Sequence, residues 1–512
     1  MSNELIINKD DYETRVALLE NSQLVDFYLE RDSGGPKHGN IYKGKVMQIL
    51  PGIQAAFIDI GYEKSAFLYA GDFYDLDITD YDFFENEDEN VKNNLSDNLL
   101  IISKHKKKGR KKRKELPNID QLLKKNQEII VQIAKEPVKT KGARVTSHIS
   151  LPGRSLVYLP TSPHIGISRK IKSDKERKRL KEIALRYKPK GAGLIIRTAA
   201  ENSLESEIER DIKFLVNLWN NICKEKNRVK APALIHQDLS ISLRAIRDLL
   251  NNSVDKVIVD NKEEYEKIND FLDLQSPEYK SRVILYESDQ PILEYYDIEA
   301  EVSKALNKKI WLKSGGYIVI DHTEALTTID INTGKYIGKR NFEDTILRTN
   351  LEAVKEIAYQ LRLRNIGGII IIDFIDMRKE DNKEKVYRAL EEVLKNDRVR
   401  TTINKISELG LVEMTRKRLR NNLASMLLEP CPMCEGNGMI KSPQTICYEI
   451  FRTIPRIAKK TRSKKLIITV HPSIMNKIYE EEGALEKLEK TTHKNIIIKM
   501  QESFHPEFYE II

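Results

Sequence analysis

The chain has 512 residues, 40% hydrophobic and 32% charged, which predicts several domains with buried cores under a polar surface rather than one domain. Its formal net charge of +9 fits a polyanionic partner without requiring one. Four cysteines (Cys223, Cys431, Cys434, Cys447) argue against a disulfide framework, no apolar stretch approaches the ~20 residues that span a bilayer, and the polar start MSNELIINKDDYETRVALLE lacks a signal-peptide core, so a cytoplasmic protein is expected.

Residues 1–35 read as two short strands and a turn: ELIIN and TRVALLE are apolar and LVDFYLE alternates. Between 36 and 141, glycine-punctuated strands (NIYKGKVMQIL, AAFIDIG, SAFLYA) predict a small OB-type barrel. An insertion at about 75–115 interrupts it, acid-rich first and then KHKKKGRKKRK, before the barrel resumes at EIIVQIAKE. Blocks of like charge repel themselves, so the insertion reads as a loop or disordered segment. Its basic half suits an arm for a polyanion, and equally a solvated loop balanced by the acidic half. Region 142–212 opens with RVTSHISLPGRSLVYLP and continues through helix SDKERKRLKEIALRY and strand GLIIRTA. Region 213–279 is mainly helical, with SLRAIRDLL a short helix and DKVIVDN a strand, and the helix that leads into it starts at SEIERDIKF.

Region 280–425 alternates strands and helices. VILYE and YIVIDHTEALTTIDI are strand-like. DTILRTNLEAVKEIAYQLRLR is an amphipathic helix with Ile346, Val354, Ile357, Ala358 and Leu361 on one face, ended by Gly367-Gly368. GIIIIDF suits a buried parallel strand, and the strand–helix–strand order implies a right-handed parallel unit. Residues 426–440 carry CPMCEGNG, and 441–512 form a small α/β segment with strands LIITVH and NIIIKM. The fold class is multidomain α/β.

Two acidic segments carry the candidate chemistry. In TTIDINTG, Asp330 and Asn332 are two apart and share one face of a strand. In IIIIDFIDM, Asp373 ends the next parallel strand, with Asp376 beyond it. The carboxyl ends of neighbouring parallel strands are the usual site position in open α/β folds. Two carboxylates and an amide oxygen are hard ligands that suit Mg²⁺. On spacing alone, ordinary strand-end or helix-capping carboxylates fit the same pattern.

CPMCEGNG supplies two thiolates, Cys431 and Cys434, which is half of a four-ligand zinc site. Two chains can share one metal, Cys447 and nearby histidines can complete a site within one chain, or the CxxC can be a thiol–disulfide pair. Gly436 and Gly438 favour a metal knuckle, and no thioredoxin-like pattern is expected around it. Cys223 lies in a helical pattern and is expected in a core.

DHTEALTTIDINTG, TNLEAVKEIAYQLRLRNIGGIIIIDFIDM, GLVEMTRKR and CPMCEGNG, in that order, resemble the ribonuclease E/G family. The resemblance covers nearly the whole chain, and the compact length without a long C-terminal extension is similar to the ribonuclease G branch. It implies an OB-type RNA-binding domain at 36–141, a 5′-sensor region at 142–212, and an RNase H-like subdomain from 1–35 and 213–279. It also implies a deoxyribonuclease-I-like catalytic domain at 280–425, a zinc-link at 426–440 and a small C-terminal domain at 441–512. The implied activity is magnesium-dependent hydrolysis within single-stranded, AU-rich RNA (ribosomal, transfer or messenger), leaving a 5′-monophosphate on the downstream product.

The same resemblance assigns residues. Asp330 and Asp373 would bind Mg²⁺, with Asn332 in support. Phe57 and Phe67 would line the RNA face of the barrel, with Lys43, Lys135 and Lys141 as phosphate contacts; both aromatics lie in apolar strands, which equally suits a core. Ile60 stands where other members carry an aromatic, which weakens stacking. Arg197 and Thr198 would grip the substrate 5′-monophosphate, completed by Gly153 and Val157 and supported by Arg400. Cys431 and Cys434 would hold Zn²⁺ shared between chains, implying a dimer or tetramer. The competing readings are a ribosome-associated RNA-binding scaffold with an inert acidic site, and a DNA nuclease of similar catalytic fold.

Overall fold

A computed structural model describes residues 2–31, 34–73, 118–137, 141–334, 342–395, 397–407, 409–418 and 420–512. The charged insertion expected at about 75–115 lies outside the described residues. The chain divides into two units, Met1–Met426 and Leu427–Ile512.

In the first unit, the N-terminal segment forms three strands, not two and a turn: Asn3–Lys9, Glu13–Glu20 and Gln23–Arg31. LVDFYLE is the third, because its alternation continues the meander. Asn3–Lys9 sits mid-sheet, antiparallel to Glu13–Glu20 and parallel to Lys256–Val259, with Val283–Leu285 on the far edge. Leu5, Ile7, Val16 and Leu18 pack on Ala245, Ile246, Ile268 and Leu272 of the covering helices Ile241–Leu249 and Lys262–Gln275.

Strands Ile41–Leu50, Ala55–Asp59, Ala66–Tyr69, Arg144–Thr146 and Glu128–Lys135 close into a five-stranded barrel, because the first also pairs with the last. Val46, Ile58, Leu68, Val131 and Ile133 fill it. Gly44 permits the closure: a Cβ there would meet the Ile58 side chain. A four-stranded sheet follows, built on Leu156–Leu159 and Gly193–Ile196 and packed against helices Asp174–Tyr187 and Glu205–Arg228.

The last sheet of this unit has six strands in the order Lys309–Trp311, Tyr317–His322, Leu326–Asn332, Gly368–Asp373, Leu411–Arg416 and Thr401–Ile403. YIVIDHTEALTTIDI is therefore an antiparallel hairpin rather than one strand. Leu326–Asn332 and Gly368–Asp373 run parallel, joined through helix Phe342–Leu363. The five apolar residues expected on that helix face are all buried, at 6% exposure or less, against Ile329, Ile370, Ile372 and Val412 of the sheet. The Gly367-Gly368 pair does not end the helix. It stops at Leu363, and Asn365 takes the left-handed conformation (φ 49°). Gly368 (φ 99°) instead opens the next strand, where the Arg418 side chain fills the space of a Cβ.

The second unit packs helices Pro443–Ala458, Pro472–Glu480 and Glu482–Thr492 with a three-stranded sheet centred on Lys465–Val470. Among the described residues, no helix is long and apolar enough to cross a membrane.

Candidate active site and nucleic-acid interface

Alternation along Leu326–Asn332 sends Thr327, Ile329 and Ile331 into the core and leaves Asp330 and Asn332 on the open face. Along Gly368–Asp373, Ile370 and Ile372 face inward and Asp373 outward. Asp330 and Asp373 are direct register partners on the two parallel strands, so the carboxylates stand side by side at the carboxyl ends. Both are exposed, and among the described residues neither forms a salt bridge. Asn332 Nδ2 donates to Asp330 Oδ2 at 2.7 Å, which holds one oxygen and leaves the other outward. Partial burial, followed by the charges of Asp330 and Asp376, raises the Asp373 pKa above the usual carboxylate range. A dication placed between them relieves that repulsion, and two carboxylates plus waters match the habits of Mg²⁺. Among the described residues, no group of three or more His, Cys, Asp and Glu side chains stands ready to hold a metal, so the fit rests on this pair.

On the barrel, Phe57 and Phe67 are half-buried on the outer face and pair across strands, with ring centroids 5.6 Å apart at 72°. The register continues sideways from Phe67 to Arg144 and from Arg144 to Lys135, giving a row of two aromatics and two cations across three strand boundaries. Tyr69 extends it, 42% exposed, with its ring 4.4 Å from Phe67 and Arg144 lying 5.1 Å over it. Tyr69 and Arg144 were missed by sequence reasoning, although AFLY places Tyr69 two residues from Phe67 and hence on the same face. Lys141 is exposed beside this row, just ahead of Ala143, whose carbonyl accepts from Phe67 N–H. Lys43 is engaged elsewhere, with Nζ 3.0 Å from Glu128 and 2.9 Å from the Val229 carbonyl. Ile60 is 2% exposed in the barrel core, so it takes no place on the stacking face.

The sensor residues gather around one loop. Arg197 Nη1 donates to the Gly153 carbonyl and to Asp248, each at 2.7 Å. Thr198 hydrogen-bonds Ser168 at 3.1 Å. Gly153 is required because a Cβ would strike the Asp211 carboxylate, which is 5% exposed and accepts from Ser155 N–H at 2.8 Å. Burial raises the Asp211 pKa. Burial also works against the charge on Asp248, but Arg247 and Arg197 outweigh it and its pKa is lowered. Val157 is half-buried between Pro152 and Ile195. Arg400 is exposed, and the Arg398 carbonyl accepts from Lys170 Nζ at 2.6 Å, which brings that segment within two residues of Ser168. Asp248, 51 residues from Arg197, carried no sequence signal.

In the second unit, Cys431 is exposed and Cys434 half-buried on a turn with left-handed Glu435, Gly436 and Gly438. Gly438 N–H donates to Cys434 Sγ at 3.3 Å. Hydrogen bonds from the backbone of Met433 and Cys434 lower the Cys431 pKa, which favours the thiolate that a metal needs. Cys447 is fully buried in the core of this unit, with its pKa pushed up to about 11 by burial, in contrast to exposed Cys431. Cys223 is half-buried rather than core.

Residues 150–419 match the model of the Ribonuclease E/G family, and residues 430–512 that of the RNase E/G, Thioredoxin-like domain. The second match overturns the expectation that nothing thioredoxin-like surrounds the CxxC. Helix Pro443–Ala458 nevertheless starts nine residues after Cys434, so neither thiol sits at its N-terminus. The chain is 40% identical over 513 residues to Ribonuclease G of Salmonella typhimurium (strain SL1344), covering 100% of both. It is 39% identical to Ribonuclease G of Haemophilus influenzae, covering 99% of each. It is 37% identical over 484 residues to Ribonuclease E of Escherichia coli (strain K12), covering 94% of this chain and 43% of that one. On these matches, the chain belongs to the ribonuclease E/G family.

Proposed function

We propose that this endoribonuclease hydrolyses single-stranded RNA at Asp330 and Asp373 with Mg²⁺, leaving a 5′-monophosphate on the downstream product. One observation carries the reading: two exposed carboxylates held in register on adjacent parallel strands, with no cation among the described residues to balance them. Rigid strands fix their separation, and Asn332 orients Asp330. Magnesium bound there supplies positive charge against the phosphodiester and a more acidic water.

The closed barrel is read as an OB-type RNA-binding domain in which Phe57, Phe67 and Tyr69 stack unpaired bases, Lys135 and Lys141 hold phosphates, and Arg144, paired with the buried Asp72 carboxylate, braces Tyr69. Region 142–212 is read as the 5′ sensor. Arg197 faces a substrate phosphate that must compete with Asp248, so binding swaps a carboxylate for a phosphate at the same fork. The N-terminal meander with 213–279 is read as RNase H-like, and 280–425 as deoxyribonuclease-I-like. Cys431 and Cys434 provide two of four zinc ligands, and a second chain supplies the others, so the working form is a dimer or higher oligomer in the cytoplasm.

The test is the double variant Asp330→Asn with Asp373→Asn. Cleavage of a 5′-monophosphorylated single strand falls by about a hundredfold or more, while RNA binding persists. Undiminished cleavage removes these residues from the mechanism, and cleavage absent from the unmodified protein returns the scaffold reading.

A further inference from the structure

The open face of the six-stranded sheet carries a second group of side chains beside the carboxylates. Edge strand Lys309–Trp311 pairs antiparallel with Tyr317–His322, placing Trp311 opposite Tyr317 and Lys309 opposite Val319. Tyr317 is in turn opposite Asn332, and Val319 opposite Asp330. Ile318 and Ile320 point into the core, so Tyr317 and Val319 share the face of the carboxylates, and Trp311 and Lys309 join them by register. Adjacent strands lie about 4.8 Å apart, so Trp311 is roughly 10 Å from Asn332.

Trp311 is 60% exposed. Its ring meets Tyr317 edge-on, 5.3 Å between centroids at 65°. Lys309 Nζ lies 3.6 Å from the Tyr317 ring centroid and 4.2 Å from that of Trp311. Tyr317 and Lys309 therefore brace the indole while much of its surface stays in water. An indole held this way has the three properties of a base platform: a fixed flat ring, free surface, and a cation beside it for a phosphate.

We propose that Trp311, Tyr317 and Lys309 form a stacking subsite for one unpaired base of the RNA strand, one or two nucleotides from the bond positioned at Asp330 and Asp373. This rests on the carboxylate reading for its place relative to the cut, but not for its capacity to bind a base. The base stacks on Trp311, and Lys309 turns from the rings to the neighbouring phosphate. A base inside a duplex is already stacked and cannot reach the indole, so the subsite selects single strands at the site of cleavage itself, independently of the barrel.

The chain has two tryptophans, Trp219 and Trp311. A Trp219→Phe protein therefore reports on Trp311 alone. Titration with a short single-stranded RNA in EDTA, with occupancy followed by anisotropy, is expected to quench Trp311 fluorescence. Bound RNA without quenching overturns the subsite, whatever becomes of the carboxylates. Separately, oligonucleotides with one abasic position stepped past the cut site are cleaved by the wild type and by Trp311→Ala. Trp311→Ala is expected to raise KM on the intact strand about 5- to 100-fold, with Trp311→Phe recovering most of it. At one abasic position the wild type shows the same loss, and Trp311→Ala loses nothing further. Independent, multiplying losses at every position, or an unchanged KM, would overturn the proposal. If Asp330→Asn with Asp373→Asn still cleaves while Trp311 is quenched, the carboxylate reading fails and the subsite stands.

Discussion

Replacing Asp330 by Asn is expected to stabilise the metal-free protein while removing its response to magnesium. Register partners on adjacent strands stand about 4.8 Å apart, so the two carboxylates repel by about 1 kcal/mol in water and about 3 kcal/mol at an effective dielectric constant of 20. Both are exposed, so the screened end of that range applies and the gain is ~1 kcal/mol. The Asn side chain still offers an oxygen to Asn332 Nδ2, so the local hydrogen bond survives. In a unit as large as Met1–Met426 this moves the melting temperature upward by about 1–2 °C. Magnesium at a hundredfold over its dissociation constant stabilises the wild type by about 2.7 kcal/mol, and the variant gains little. Melting in EDTA and in magnesium should therefore reverse the order of the two proteins. The pH dependence has a definite sign. Burial and then the neighbouring charges raise the Asp373 pKa, so the native state holds that proton more tightly than the unfolded chain. The stability that Asp373 contributes is lost as pH climbs from about 3.9, the unfolded value, through the raised native one, and the variant loses less of it. Its advantage in EDTA thus grows across that window and is constant above it. A variant that is less stable in EDTA and still stabilised by magnesium refutes the reasoning.

Other outcomes follow from the same structure. Asp397 and Arg416 form an ion pair at 2.7 Å with side chains 4% and 3% exposed, so Asp397→Ala strands a buried guanidinium and should cost about 3–5 kcal/mol in thermal or urea unfolding. Phe67→Ala should weaken single-strand binding by about 1–3 kcal/mol in anisotropy titrations, with circular dichroism unchanged. Metal analysis of the purified protein should give one zinc per two chains, and Cys431→Ser should lose both the zinc and the dimer in sedimentation. One zinc per chain would rule out a shared site.

The site was legible where it depends on period. Asp330 and Asn332 sit two apart, and a period of two puts them on one face whatever the strand packs against. The buried face of helix Phe342–Leu363 was legible in the same way. Register was not legible. That Asp373 faces Asp330, rather than a neighbour two residues away, is decided by the crossover helix and the core beneath it. The row from Phe57 to Lys135 exists only because Arg144–Thr146 inserts between Ala66–Tyr69 and Glu128–Lys135, and nothing local in Arg144 announces its place beside Phe67. Lys43 has the right charge and the right strand, yet Glu128 and the Val229 carbonyl hold it at the other end of the barrel. The glycine pair after the long helix misled for a similar reason: Asn365 supplied the left-handed turn, and Gly368 was needed for close approach of Arg418.

The mid-sheet position of Asn3–Lys9 also sets an order of events during synthesis. Asn8 meets Asp260, a hydrogen-bond partner 252 residues downstream. At about 5–20 residues per second, a newly made N-terminal meander waits roughly 13–50 s for its parallel neighbour. Through that interval it presents an open strand edge carrying Leu5, Ile6 and Ile7, which are wholly buried in the finished fold. The barrel strands, all drawn from 41–146, face no such delay. Nascent chains halted before Lys256 should therefore be sticky at their beginning rather than at their growing end, and a holdase chaperone would find its client site there.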